Sequence, residues 1–96
     1  MTYCYIIYSR KLDRFYVGIT GDRLISRLAK HINSYYGKSS YTSKAQDWKL
    51  HYWIACKNRK QAVSIERHIK RMKSREYLLN LKRYPALTAK LLAKYS

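Results

Sequence analysis

Tyr3-Cys4-Tyr5-Ile6-Ile7-Tyr8 and Phe15-Tyr16-Val17-Gly18-Ile19, joined by Ser9-Arg10-Lys11-Leu12-Asp13-Arg14, form the stretch on which the fold turns. Both flanks are β-branched and aromatic and the connection is polar, so residues 3–8 and 15–19 read as an antiparallel hairpin. The alternation also argues a register. If Ile7 faces Tyr16, then Tyr5 faces Gly18, and Tyr3, Tyr5, Tyr16, Gly18 and Thr20 share one face. Cys4, Ile6, Phe15, Val17 and Ile19 then make a uniformly apolar opposite face. A slip of one residue would mix the two sets. A glycine opposite Tyr5 leaves room for a ring or a phosphate to approach the backbone.

Beyond the hairpin, Arg23 to Tyr35 has helical periodicity, with Leu24, Leu28 and Ile32 on one stripe and Arg23, Arg27 and His31 on the next. Residues 37–47 are a polar loop rich in hydroxyls. Trp48 to Cys56 reads as a third strand, with Leu50, Tyr52, Ile54 and Cys56 on one parity. Asn58 followed by Gln61 resembles a capping box that opens a second helix. Its apolar stripe is Ala62, Ile65, Ile69 and Met72, with Glu66 beside it. Ser74 is placed to cap a short helix through Leu81, and after Pro85 the residues Leu87, Leu91 and Leu92 mark a terminal helix that packs back. The expected class is α+β: one domain over residues 1–96, a small three-stranded antiparallel sheet flanked by helices, in the order ββαβα plus C-terminal helices.

Composition narrows the partners. The 96 residues are 47% hydrophobic, with eleven tyrosines and two tryptophans, which describes a folding sequence and not a basic tail. Lys and Arg number 21 against the five acids Asp13, Asp22, Asp47, Glu66 and Glu76, for a net charge of +16. Such a surface repels itself and is ordinarily matched to a polyanion, with solubility or an acidic protein partner as the plainer alternatives. Cys4 and Cys56, far apart and in apolar runs, read as buried free thiols without metal-site spacing. No apolar run has the length of a membrane span and no leader is recognisable, so the expectation is a soluble cytoplasmic protein without a membrane partner.

The two segments of the hairpin resemble the signature of the GIY-YIG nuclease family, with Tyr16-Val17-Gly18 matching the second motif and Tyr3-Cys4-Tyr5 keeping only the tyrosine of the first. Arg27-Leu28-x-x-His31 matches the arginine and histidine of the helix that follows, and Ala62-x-x-x-Glu66-x-x-x-Lys70 the glutamate of the helix after the third strand. Gly37-Lys38, Tyr41-Thr42, Trp48 and Ile69-Lys70-x-Met72-Lys73-Ser74 look like the compact single-domain bacterial branch.

The resemblance implies an endonuclease that hydrolyses phosphodiester bonds in DNA, with Tyr5, Tyr16, Arg27, His31 and Glu66 as catalytic residues. It also implies Glu66 as the ligand of one Mg²⁺ (or Mn²⁺), an ion that keeps most of its waters and tolerates one carboxylate. Tyr16 is the candidate general base. Phenols are largely protonated at neutral pH, and the cations Arg27, Lys70 and Lys73 with the metal would favour the phenolate. Tyr5 would orient the attacking water or Tyr16. Arg27 would grip the scissile phosphate, and His31 would relay a proton or hold another phosphate oxygen. Gly18, Arg10, Lys11, Lys38, Lys44, Lys70 and Lys73 are the nucleic-acid contacts expected from their positions, and Tyr35, Tyr36, Tyr41 and Trp53 candidate stacking residues.

Each residue also has a plainer reading as strand aromatic, solvated cation or helix ion pair; the joint order of all of them favours the site. A role in DNA repair or processing, and a protein partner for targeting, belong to the same expectation. Two alternatives use the same fold: a catalytically idle nucleic-acid-binding module, and a nuclease directed to RNA. Retention of Glu66 speaks against the first. A ribosome-associated basic protein is a weaker reading.

Overall fold

The computed structural model describes residues 1–33, 37 and 40–96. Strand β1 (Thr2–Ser9) pairs antiparallel with β2 (Arg14–Thr20) in the expected register, Tyr5 opposite Gly18 and Ile7 opposite Tyr16. Helix α1 (Leu24–Ile32) follows, then a short 3₁₀ turn (Tyr41–Lys44), strand β3 (Lys49–Cys56), and helices α2 (Arg59–Met72), α3 (Arg75–Arg83) and α4 (Pro85–Lys94). The strand order is β2-β1-β3, so the hairpin's first strand is central and β2 and β3 are both edges. No described helix is long and apolar enough to cross a membrane.

The helix ends follow local chemistry. Asn58 Oδ1 accepts the Gln61 amide proton at 2.9 Å, and the Gln61 side chain accepts from the Lys57 N–H at 2.8 Å, a reciprocal cap reaching one residue further back than expected. Lys73 adopts the left-handed conformation (φ 46°) that ends α2, and Ser74 Oγ accepts the Tyr77 N–H to start α3. Pro85 occupies the first turn of α4.

Both faces of the sheet are buried. On one, Cys4, Ile6, Val17, Ile54 and Cys56 pack against Ala62, Ile65 and Ile69 of α2, with Leu81 and Leu91 from α3 and α4 closing the layer. On the other, Tyr5 and Ile7 meet Ala45 and Trp48, with Leu24, Leu28 and Ile32 of α1 over them. The two thiols are free and buried. Burial pushes Cys4 up to about 12, with Cys56 and then the charge of Glu66 adding to it against Lys70.

Two expectations about side-chain direction are corrected. The β1–β3 ladder slips by one residue between Ile6/Tyr52 and Ile7/Leu50, leaving His51 as the extra residue of a bulge. Leu50 therefore joins the α1 side while Tyr52, Ile54 and Cys56 stay on the α2 side, where strict alternation put all four together. Met72, counted in the apolar stripe of α2, is 45% exposed because the helix ends at its next residue and the chain turns away.

Candidate active site

Tyr5 sits on the central strand, 2% exposed, its ring laid across Gly18 of β2. A Cβ on Gly18 would stand 2.5 Å from the Tyr5 hydroxyl oxygen and 2.7 Å from Cζ, so only glycine fits beneath the ring. The room that the sequence left for a phosphate is filled by Tyr5 itself. Gly18 is thus a position where the ring of Tyr5 packs on the backbone.

The Tyr5 hydroxyl is hydrogen-bonded to His31 Nε2 at 2.7 Å, and His31 Nδ1 to Thr42 Oγ1 at 2.9 Å. Thr42 is fixed in turn by the Trp48 indole N–H, which donates to its backbone oxygen at 2.8 Å. Arg27, one turn before His31 on α1, donates from Nε to the Tyr5 hydroxyl at 3.3 Å. His31 is 2% exposed, and burial first, then the charge of Arg27, lowers its imidazole from 6.5 to about 4. The ring is therefore neutral at physiological pH, with one N–H and one lone pair. Hydroxyls at both ends donate or accept, so a single tautomer satisfies both nitrogens. His31 is as deeply buried as Tyr5, and its ring also lies against that of the partly exposed Tyr16.

Tyr16 comes from β2 onto the same cluster. Its ring centroid lies 5.2 Å from that of His31 and 6.3 Å from that of the exposed Tyr41, nearly parallel to the latter at 15°. Tyr16 is only partly buried, so the cluster has one tyrosine below the surface and one at it. Contacts thus join Tyr5, Tyr16, Arg27 and His31, four of the five expected catalytic residues.

Glu66 arrives from the other layer. It stands on α2 beside Ile65 and Ile69, its side chain 18% exposed, with Lys70 Nζ 3.4 Å from Oε2 and half exposed itself. Its charge is felt at Cys4 on β1, and Lys70 borders a hollow with Phe15 and Val17 of β2. Tyr16 and the Glu66–Lys70 pair therefore approach the hairpin from opposite faces. Since β2 is an edge strand, a ligand touching both would pass along that edge. Among the described residues no three of His, Cys, Asp and Glu gather as metal ligands. A single carboxylate suits a hard cation that keeps most of its waters, and not zinc, which takes three or four protein ligands.

The expected nucleic-acid contacts Arg10, Lys11, Lys44, Lys70 and Lys73 are all exposed; Lys38, with Tyr35 and Tyr36, lies outside the described residues. Trp53 is 49% exposed on the edge strand β3, and Lys44 lies over the Tyr41 ring at 5.2 Å. Sequence reasoning missed three fixtures. Thr42 carried a signal only within the resemblance at Tyr41-Thr42, with no role as the partner of His31. Asp47 accepts from Ser9 Oγ at 2.6 Å and the Lys11 N–H at 2.9 Å, tying the hairpin turn to the loop; the Ser9 bond, then the Lys11 bond, lowers its carboxyl. Arg75 of α3 pairs with Asp13 and lies 5.7 and 5.4 Å from the rings of Tyr8 and Phe15, clamping the turn from the other side.

Residues 1–80 match the family model of the GIY-YIG catalytic domain. The chain belongs to the GIY-YIG family. Domains of this family are nucleases that act on DNA. The hairpin with Tyr5 and Tyr16, α1 with Arg27 and His31, and α2 with Glu66 all lie inside the matched GIY-YIG segment. No curated protein and no solved structure matches the chain significantly.

Proposed function

We propose that this GIY-YIG protein is an endonuclease that hydrolyses phosphodiester bonds in DNA with the help of a divalent metal, Mg²⁺ or Mn²⁺. The observation that carries the reading is the buried chain Tyr5–His31–Thr42, with Arg27 on one end of it and Tyr16 packed beside it at the surface. The two hydroxyls and the imidazole, taken out of water, satisfy one another by hydrogen bonds and hold a tyrosine pair and an arginine in one geometry.

In the proposed reaction a water attacks phosphorus in line with the departing 3′-oxygen; the new P–O bond forms as the P–O3′ bond breaks. Tyr16 is the residue that would take the proton of the attacking water. Tyr5 holds the position of that water or of Tyr16, its own hydroxyl fixed by His31 and Arg27. Arg27 keeps Nε on Tyr5 and has four further N–H groups with the fork geometry that phosphate oxygens accept. Glu66 is the residue that would hold the metal, and Lys70 would have to yield its place. The ion, when bound, supplies positive charge for the phosphorane and the leaving oxygen.

The test is cleavage of linear, nicked, branched and single-stranded DNA, and of RNA, with Mg²⁺, Mn²⁺ or EDTA, beside Glu66→Ala. The reading expects cutting that requires metal and vanishes in Glu66→Ala while binding at low salt is kept or slightly tightened. Tight binding without cutting under any metal would leave the idle module in its place. Preferential cutting of RNA would redirect the substrate.

A further inference from the structure

On the α2 side of the edge strand lies a hollow of about 340 Å³, bordered by Lys70 and Lys73 of the expected nucleic-acid contacts. Its walls are apolar, formed by Phe15 and Val17 of β2, Ile69 of α2 and Leu78 of α3. Its rim is cationic, with Arg14, Lys70 and Lys73 around the opening. The rim's acid, Asp13, is already spent on Arg75. Ligand clefts run from roughly 300 to 1,000 Å³, so the hollow is large enough for one planar ring system and its link, and too small for a peptide helix or a duplex.

Its position matters as much as its lining. Phe15 and Val17 flank Tyr16 along β2 and point to the opposite face. Lys70 belongs both to the rim and to the ion pair with Glu66. A strand that presents a phosphate to Tyr16 and Glu66 across the edge thus passes over the mouth of the hollow. We propose that the hollow shelters one unpaired nucleotide of that DNA strand, its base against Phe15, Val17 and Leu78 and its phosphates on Arg14, Lys70 and Lys73. A base inside a continuous duplex is stacked and paired and does not enter such a site without being flipped out. The preferred substrate is therefore DNA with an unpaired nucleotide beside the cut, as in a flap, branch or gap.

Tyr8, the Arg75 guanidinium and the edge-on His51 ring already pack around Phe15, so the base rests against the apolar lining of an open hollow and not on a free stacking platform. Of the polar groups that also line the hollow, Ser74 Oγ already accepts the Tyr77 N–H and Arg75 is paired with Asp13, so the site is expected to discriminate little among the four bases. This inference rests on the reading of the protein as one that engages DNA, but not on its being catalytic.

The experiment is a titration in EDTA of 2-aminopurine oligonucleotides, the probe placed in a single strand, in a one-nucleotide bulge or in continuous duplex, at fixed salt. Wild type is compared with Leu78→Trp, which fills the hollow, and with Lys73→Gly. Lys73 holds φ 46°, which glycine adopts without strain, so that variant removes a rim charge while keeping the turn between α2 and α3. The unpaired probes are expected to bind about tenfold tighter than duplex and to change emission, with Leu78→Trp abolishing the preference and Lys73→Gly reducing it. Equal affinity of paired and unpaired probes in wild type would overturn the proposal, as would an equal loss on all probes in a folded Leu78→Trp. If Leu78→Trp does not fold, Lys73→Gly decides by the same criterion. Poly-glutamate that displaces the unpaired probe better than an oligonucleotide of equal charge would assign the hollow to an acidic peptide. Cleavage of the same DNAs with Mg²⁺ separates the two readings: a binding preference without cutting keeps the hollow and removes the nuclease, and cutting without preference does the reverse.

Discussion

On the α2 side of the sheet Cys4, Ile6, Val17 and Ile54 meet Ala62, Ile65 and Ile69; on the α1 side Tyr5, His31, Thr42 and Trp48 are as deeply buried but are joined by hydrogen bonds. The first arrangement is stabilised by area removed from water and tolerates exchange of one apolar side chain for another of similar volume. The second gains little net from each bond and loses heavily when one partner is missing. One face therefore holds the molecule together while the other holds a geometry. Damage to the first should appear as lost stability with unchanged cutting per folded molecule, and damage to the second should cost cutting more than stability.

The sharpest test on the dry face is Ile65→Ala, fully buried in wild type, which should cost about 2–5 kcal/mol in urea unfolding and leave the turnover of the folded fraction unchanged. A comparable loss of turnover would break the comparison. Gly18→Ala should come next, at about 2–3 kcal/mol, because the new methyl meets the ring of Tyr5, which is itself buried. Turnover should fall further than stability there, since Tyr5 and Arg27 are displaced together. Tyr5→Phe keeps the ring and removes the hydroxyl, leaving His31 Nε2 without that partner, at about 1–3 kcal/mol. Its cleavage should drop by orders of magnitude with binding unaffected.

The smallest effect concerns pH. His31 has its folded value depressed to about 4, so above 6.5 both folded and unfolded chains are neutral there and stability is at its plateau. As pH falls below 6.5 the unfolded chain takes the proton first, and stability declines until about 4, by at most a few kcal/mol. His51 and His68, also lowered by burial, add to the same slope. His31→Gln should make the fall across that window shallower, and an unchanged slope would mean that the imidazole is not desolvated.

The hairpin and the caps were legible because their signals are local. Alternation in 3–8 and 15–19 set the register, since any slip would have put Cys4 and Ile6 with the tyrosines. Asn58, Ser74 and Pro85 mark helix starts through chemistry confined to a few residues. Thr42 was not legible, because nothing in a run of hydroxyls says which one turns inward until His31 and Trp48 are in place. The bulge at His51 was hidden for a related reason: a strand with apolar residues on both faces keeps its pattern when the ladder slips. The clamp between Asp13 and Arg75 joins positions with no sequence relation at all. Four site residues could be expected to meet, as the hairpin and α1 are neighbours in the chain. That Glu66 reaches the hairpin from the opposite face depends on how α2 packs, which only the tertiary structure specifies.

The two thiols on the dry face, enclosed and with Cys4 held near 12, turn the protein into its own clock. A thiol reagent added to the native protein can modify them only when the α2 layer lifts from the sheet, so the rate of colour development measures how often that layer opens. DNA seated along the β2 edge, in contact with both layers, would slow this clock.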